Sequence, residues 1–298
     1  MDIFLNFNCK DTSLAVELKS KILSSKLREL IEKFLIFADI FSDFLTLMEQ
    51  YTNKKTSSAS MENISLLSDS LKHEIETNNI STVIESGTFK GLGSTKTIAT
   101  VFEELGRTPD FYTLEASWIN WKQAKMNLRK YSFVKPVWGK SVPYNEAVSF
   151  IKEDEVLKNH NNYPNIYIDG GNDPAAFYLK EISGEFGFSR FSIVNKILKR
   201  LEEFDRSKFY QGDDLLRKYL QRFKDRNPLI LLDSCGGIGY LEFSILLEIM
   251  KDYPFYLILD DINHLKHFRS FEMIKDNPDF KIINLNKESG WVFAKKSR

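Results

Sequence analysis

The segment Ser81 to Ser94, STVIESGTFKGLGS, constrains the fold more than any other stretch of the chain. The apolar run Thr82-Val83-Ile84 ends in an acid, Glu85. A turn with Gly87, Gly91 and Gly93 follows, and then a helix-forming run from Ser94 to Leu105. That order predicts strand, tight loop, helix, in which a nucleotide-like ligand can lie against bare backbone at a helix N-terminus. The glycines permit positive φ and close approach. Their spacing is G-x-x-x-G-x-G, not the G-x-G-x-x-G of dinucleotide enzymes. An acid just before the first glycine suits a ligand carrying an ammonium group better than a pyrophosphate.

From residue 81 onward strands and helices alternate, which predicts a parallel sheet covered on both faces. Strands are expected at 82–86, 111–115, 134–138, 229–233, 255–260, 280–286 and 290–295, the last two joined by Lys287-Glu288-Ser289 as an antiparallel hairpin. Asn165 to Asp169 (NIYID) competes with Leu229 to Asp233 (LILLD) for the fourth strand. The second lies one helix before strand 255–260, an ordinary crossover, and takes the place. A mostly helical insertion over about 143–227 then separates the third and fourth strands. Residues 13–51 show helical spacing, 52–60 (TNKKTSSAS) reads as a linker, and a further helix over about 64–77 leads into the first strand. The expected organisation is a helical region, 1–79, and a sheet domain, 80–298. The N-terminal helices would cap the core, cover a substrate or join two copies into a homo-oligomer.

Composition narrows the function classes. The 298 residues carry 41 Lys+Arg and 41 Asp+Glu, a net charge of zero, which argues against nucleic acid as the main partner. The two cysteines, Cys9 and Cys235, form neither C-x-x-C nor a Cys/His cluster, so neither a zinc site nor a disulfide framework is expected. The first residues lack a basic n-region, and no apolar run approaches the roughly 20 residues that span a bilayer. The expectation is a cytoplasmic protein with no membrane span.

Six strands of one direction closing with an antiparallel C-terminal hairpin resemble the class I S-adenosylmethionine (SAM) methyltransferase fold, a Rossmann-like seven-stranded α/β sheet. Glu85-Ser86-Gly87-Thr88-Phe89-Lys90-Gly91, with Ser94 and Thr95 beyond it, resembles the first motif of that family, in the form found in bacterial O-methyltransferases of sugars and antibiotics. The resemblance covers about 80–142 and 228–296. It implies SAM as cofactor, with Glu85, Ser86, Gly87, Thr88, Gly91, Ser94 and Thr95 shaping the methionine end. It places Glu115, followed by Ala116, on the ribose, because two carboxylate oxygens suit two vicinal hydroxyls. Trp138 and Gly139, Lys140 and Ser141 would border the adenine, with Asp233 also beside the cofactor. The implied activity is O-methylation of a small polar acceptor such as a sugar, a glycan precursor or a natural-product precursor. A SAM- or nucleotide-binding interaction protein without methyl transfer is the alternative.

Asp233 ends the fourth strand and Asp260-Asp261 the fifth, so three carboxylates would gather where parallel α/β sheets bind ligands. Unpaired they repel, and a hard divalent cation such as Mg2+ would resolve this through oxygen ligands. The layout resembles metal-dependent O-methyltransferases, in which such an ion orients the acceptor oxygen. Asp at strand ends also caps helices, and neighbouring side chains in a strand point to opposite faces. Asp260 and His264 are the candidate catalytic residues, His264 as the base that takes the acceptor's proton, with Lys266 and His267 as its alternatives. Asp169, in the acid-rich turn 168–174, rivals Asp233. Ser234 to Tyr240 (SCGGIGY) is a second Gly-rich strand-to-helix loop, without the Lys-Ser/Thr of a P-loop. It is read as a flexible loop that lets backbone approach the cofactor or the acceptor.

Overall fold

The structure, a computed structural model, describes residues 64–183 and 192–297. The helices expected over 13–51, the linker and any pairing of copies through them lie outside the described residues.

Seven strands form one sheet: β1 (Thr82–Ser86), β2 (Asp110–Glu115), β3 (Val134–Trp138), β4 (Leu229–Leu232), β5 (Phe255–Leu259), β6 (Phe280–Asn286) and β7 (Trp291–Lys296). Their order is β3-β2-β1-β4-β5-β7-β6. β1 to β5 pair in parallel, and β7 runs antiparallel between β5 and β6, so six strands share one direction and β7 alone is reversed. This is the class I methyltransferase sheet that the sequence led us to expect. Asn165 to Asp169 stays outside it, making only an isolated bridge between Tyr167 and His264.

The central strands are apolar on both faces because helices cover both. Along β1, Val83 belongs to one buried cluster and Ile84 to the other; β4 divides Leu229 and Leu231 from Ile230 and Leu232 in the same way. Helix α1 (Ile64–Asn78) buries Leu67, Leu71 and Ile75 in the Val83 cluster. It therefore packs with the sheet, although the expected boundary at 79/80 grouped it with the N-terminal region. Helices α2 (Ser94–Glu104) and α3 (Trp118–Asn127) follow β1 and β2.

Between β3 and β4 lie α4 (Tyr144–Glu153), α5 (Glu155–Lys158), α6 (Pro174–Ser183), α7 (Ser192–Phe209) and α8 (Leu215–Phe223). These supply the helical insertion, and they bury Tyr178, Leu216, Tyr219 and Phe223 in the Ile84 cluster. Helix α9 (Gly239–Ile249) links β4 to β5. Helix α10 spans Phe268–Lys275, three residues shorter at its start than the helix expected from Leu265. Residues 264–267 form a turn instead, with the His264 carbonyl accepting from the His267 and Phe268 N–H groups.

Candidate functional site

The carboxyl ends of β1, β2, β4 and β5 meet on one side of the sheet. The loop after β1 is held by its side chains. Glu85 is fully buried, and its two oxygens accept from Ser94 Oγ and Thr95 Oγ1, both at 2.7 Å. Burial raises the Glu85 carboxyl to about 7, against the pull of the Thr113, Thr95 and Ser94 hydroxyls. Glu85 thus clamps the start of α2 to the end of β1 from beneath the loop. Thr88 and Thr113 join their hydroxyls below it.

Gly87 has φ +97°, and a Cβ there would lie 1.9 Å from the Asp233 carbonyl oxygen. The Asp233 N–H donates to the Ser86 carbonyl at 2.8 Å. The two strand ends thus cross at van der Waals limit, and only glycine fits between them. Gly91, at φ +70°, rests on the Leu128 side chain.

Glu115 ends β2 and is 8% exposed. Its Oε2 accepts from the Phe89 N–H and its Oε1 from the Ser117 N–H, each at 2.7 Å. Burial raises it to about 7, opposed by those backbone donors. The Asn120 side chain and the Ala116 N–H also bond to it, so the carboxylate is oriented by four donors from residues 89 and 116–120. Ala116 beside it is exposed.

The segment 139–141 is placed differently from Glu115. A Cβ on Gly139 would lie 2.4 Å from the Gly212 carbonyl oxygen. The Lys140 N–H donates to that carbonyl, and the Leu215 and Leu216 N–H groups donate to the Lys140 and Ser141 carbonyls, all at 3.0 Å. The end of the insertion therefore lies along the residues expected at the adenine edge. Trp138 is wholly buried, stacked on Trp121 and edge-on to Tyr210.

Glu242, on α9, was not singled out in the sequence. It is fully buried and accepts from Ser86 Oγ and Ser234 Oγ at 2.7 Å each, and also from the Ser141 hydroxyl. Burial pushes its carboxyl up, against those three hydroxyls. One acid thus gathers the ends of β1, β3 and β4. Its only sequence signal is an acid in the first turn of a mostly apolar helix that also carries Ser244 and Glu248.

Asp233, Asp260 and Asp261 do converge, with one oxygen of each within 4.8 Å of the others. Asp261 has φ +59°, which breaks the alternation expected of neighbouring strand residues. Asp260 is 1% exposed, and its Oδ1 accepts from the Asp261 N–H. Burial and the nearby Asp233 raise Asp260 to about 8. Lys266 Nζ lies 2.8 Å from Asp233 Oδ1 and 2.7 Å from Asp261 Oδ2. Burial opposes the Lys266 charge, but Asp233, Asp261 and Asp260 together hold its pKa well above the usual lysine value.

His264 and Asp169 meet on the insertion side of this cluster. His264 Nδ1 accepts the Lys266 backbone N–H at 3.0 Å, so the proton of the neutral ring sits on Nε2, 2.9 Å from Asp169 Oδ2. Burial lowers the His264 pKa, which keeps the ring neutral. The buried Tyr178 hydroxyl donates to the same Asp169 oxygen at 3.2 Å. His267 is completely buried, and burial drives its pKa far down. Burial pushes the half-buried Cys235 thiol well up.

No protein-family model matches the chain, and no curated protein matches it. Three solved structures are similar to it in outline. The O-methyltransferase of Bacillus cereus in complex with SAH is 12% identical, with a TM-score of 0.42 over 87% of this chain and 91% of that one. A Klebsiella pneumoniae protein described as an O-methyltransferase is 11% identical, TM-score 0.42, over 81% and 83% of the two chains. A Staphylococcus aureus protein described as a caffeoyl-CoA O-methyltransferase is 14% identical, TM-score 0.40, over 86% and 98%.

Proposed function

We propose that the chain is a SAM-dependent methyltransferase acting on an oxygen of a small polar acceptor, such as a sugar or a glycan or natural-product precursor. The observation that carries this reading is Glu115. Its carboxylate is buried at the end of β2 and is held in place by the Phe89 and Ser117 N–H groups beside the Gly87–Gly91 turn, where a ligand lying on that turn would meet it.

In this reading Gly87 and Gly91 keep the loop backbone open to the methionine end of SAM, with Ser86, Thr88, Ser94 and Thr95 fixing its shape. Glu85 acts on the cofactor through Ser94 and Thr95 rather than by touching it. Ala116 lines the ribose side, and Gly139, Lys140 and Ser141 lie farther along. Bound SAM would supply the methyl group, its sulfonium becoming a thioether as the acceptor oxygen takes the methyl in line and gives its proton to a base. The tautomer of His264 makes it a donor, so the proton falls to Asp169, which His264 and Tyr178 orient. Asp260 faces inward beside Asp233 and Asp261.

Isothermal titration with SAM tests the reading, and no detectable heat at millimolar cofactor would sink it. The alternative is SAM or nucleotide binding without methyl transfer. Under that reading SAM binds and no acceptor in a sugar panel is methylated. Among the described residues no helix is long and apolar enough to cross a membrane.

A further inference from the structure

We propose that the ammonium of Lys266 is the resident cation of the Asp233–Asp260–Asp261 cluster, and that this chain holds its three carboxylates together without a divalent ion.

The space between the carboxylates is already taken. Lys266 Nζ makes contacts of 2.8 and 2.7 Å to Asp233 and Asp261, and its side chain is 8% exposed. An Mg2+ ion bound there would need its oxygens at about 2.0–2.1 Å and several waters besides. An ammonium between the same oxygens leaves no room for either. The donor set therefore does not fit a divalent ion while Lys266 is in place.

The lysine's position is built into the surrounding chain. A Cβ on Gly239 would lie 2.4 Å from Lys266 Cγ and 2.7 Å from its carbonyl oxygen, so residue 239 has to be glycine for the stem to pass. The Lys266 backbone is fixed by its N–H bond to His264 Nδ1. From the other side, the left-handed backbone at Asp261 directs that carboxylate to the ammonium, and the neighbouring Ile262 N–H is tied to the Gly290 carbonyl at 2.7 Å. A loop glycine, a backbone hydrogen bond and an unusual φ all serve the same contact.

A lysine differs from a metal in what it allows. It gives one positive charge and no open coordination position, so an acceptor oxygen is not a ligand and is not acidified by one. It also cannot be removed by a chelator. The consequence for turnover rests on the methyltransferase reading; the occupancy of the cluster does not.

Manganese is the probe. In the wild-type chain, equimolar Mn2+ should keep the paramagnetic resonance signal of the free ion. The thermal midpoint should be the same with millimolar Mg2+ and with EDTA. Lys266→Ala, or Lys266→Met to keep the stem, should remove most of the free-ion signal and gain a Mn2+-dependent rise in midpoint. Wild-type protein that sequesters one Mn2+ per chain overturns the proposal. A folded Lys266 variant as blind to Mn2+ as wild type overturns it too. Should both variants fail to fold, the wild-type measurement decides. SAM titration on the same samples separates the two ideas. A chain that binds neither SAM nor Mn2+ fails as a methyltransferase and keeps its lysine-filled cluster. A chain that binds both does the reverse.

Discussion

The two Gly-rich loops, 86–94 after β1 and 234–239 after β4, look alike in sequence and differ in what their glycines do. In the first, Gly87 and Gly91 take positive φ, and the loop presents backbone, with Phe89 and Leu92 exposed on its outer side. In the second, Gly236, Gly237 and Gly239 have no positive φ, and each makes way for a side chain: the His264 and Tyr178 rings over Gly236, Tyr178 over Gly237, Lys266 over Gly239. One loop is glycine-rich for conformation and the other for volume. A glycine cluster between a strand and a helix can therefore serve backbone conformation or side-chain volume. The reading of 234–240 as a flexible approach loop gives way to a packed floor.

The largest expected effect tests the first loop. Gly87→Ala combines positive φ with a contact into backbone, and should cost at least about 3 kcal/mol and abolish SAM binding, read by chemical denaturation and calorimetry. Gly237→Ala meets Tyr178 Cβ at 2.6 Å and should cost about 1–3 kcal/mol. SAM affinity of the folded variant should stay within about twofold, below roughly 0.4 kcal/mol. A matching loss of affinity would break the comparison. Glu115→Gln should weaken SAM about tenfold or more, and because its amide NH2 would face the Phe89 or the Ser117 N–H it should also cost about 1–3 kcal/mol of stability.

Glu85→Gln sharpens the comparison through pH. The folded pKa of Glu85 is raised to about 7 from an ordinary 4.5, so the native state holds a proton that the unfolded chain has lost. Its contribution to stability is fully present below the unfolded value and declines as pH rises towards 7. The variant should lose that slope, about 1.4 kcal/mol per pH unit between those limits, in urea titrations at several pH values. The smallest effect is a control: Gly106→Ala has φ +64° and nothing within 4 Å of its Cβ, so it should cost about 1 kcal/mol from backbone alone.

What the sequence carried was periodic or local. The strand-loop-helix unit at 82–94, the crossover that placed 229–232 in the sheet, and the terminal hairpin all rest on short-range patterns. So does the convergence of Asp233 with Asp260 and Asp261, since parallel strands bring their carboxyl ends together. What the sequence did not show depends on contacts between distant residues. Glu242 is 156 residues from Ser86, and its serine ring exists only once three strand ends meet. Lys266 read as an alternative base because nothing local announces a stem crossing a glycine and ending between two carboxylates. His264 read as a base because the atom that claims its Nδ1 is a backbone N–H two residues on, visible only when the turn is formed.

The run of insertion backbone beside β3 has one more consequence. β3 is the outermost strand on its side of the sheet, a place where another polypeptide could add itself by hydrogen bonding. Pro136 removes one donor there, and the Trp138–Tyr210 bridge with the bonds to Gly212 takes up the strand's end from within the same chain. On the opposite border, β6 carries an irregularity between Ile282 and Asn284, and the Asn284 side chain donates to Leu66 and Ser70 of α1. Neither border offers a straight, unclaimed ladder. Among the described residues both borders of the seven-stranded sheet are interrupted, one by the insertion and the other by the β6 irregularity and α1.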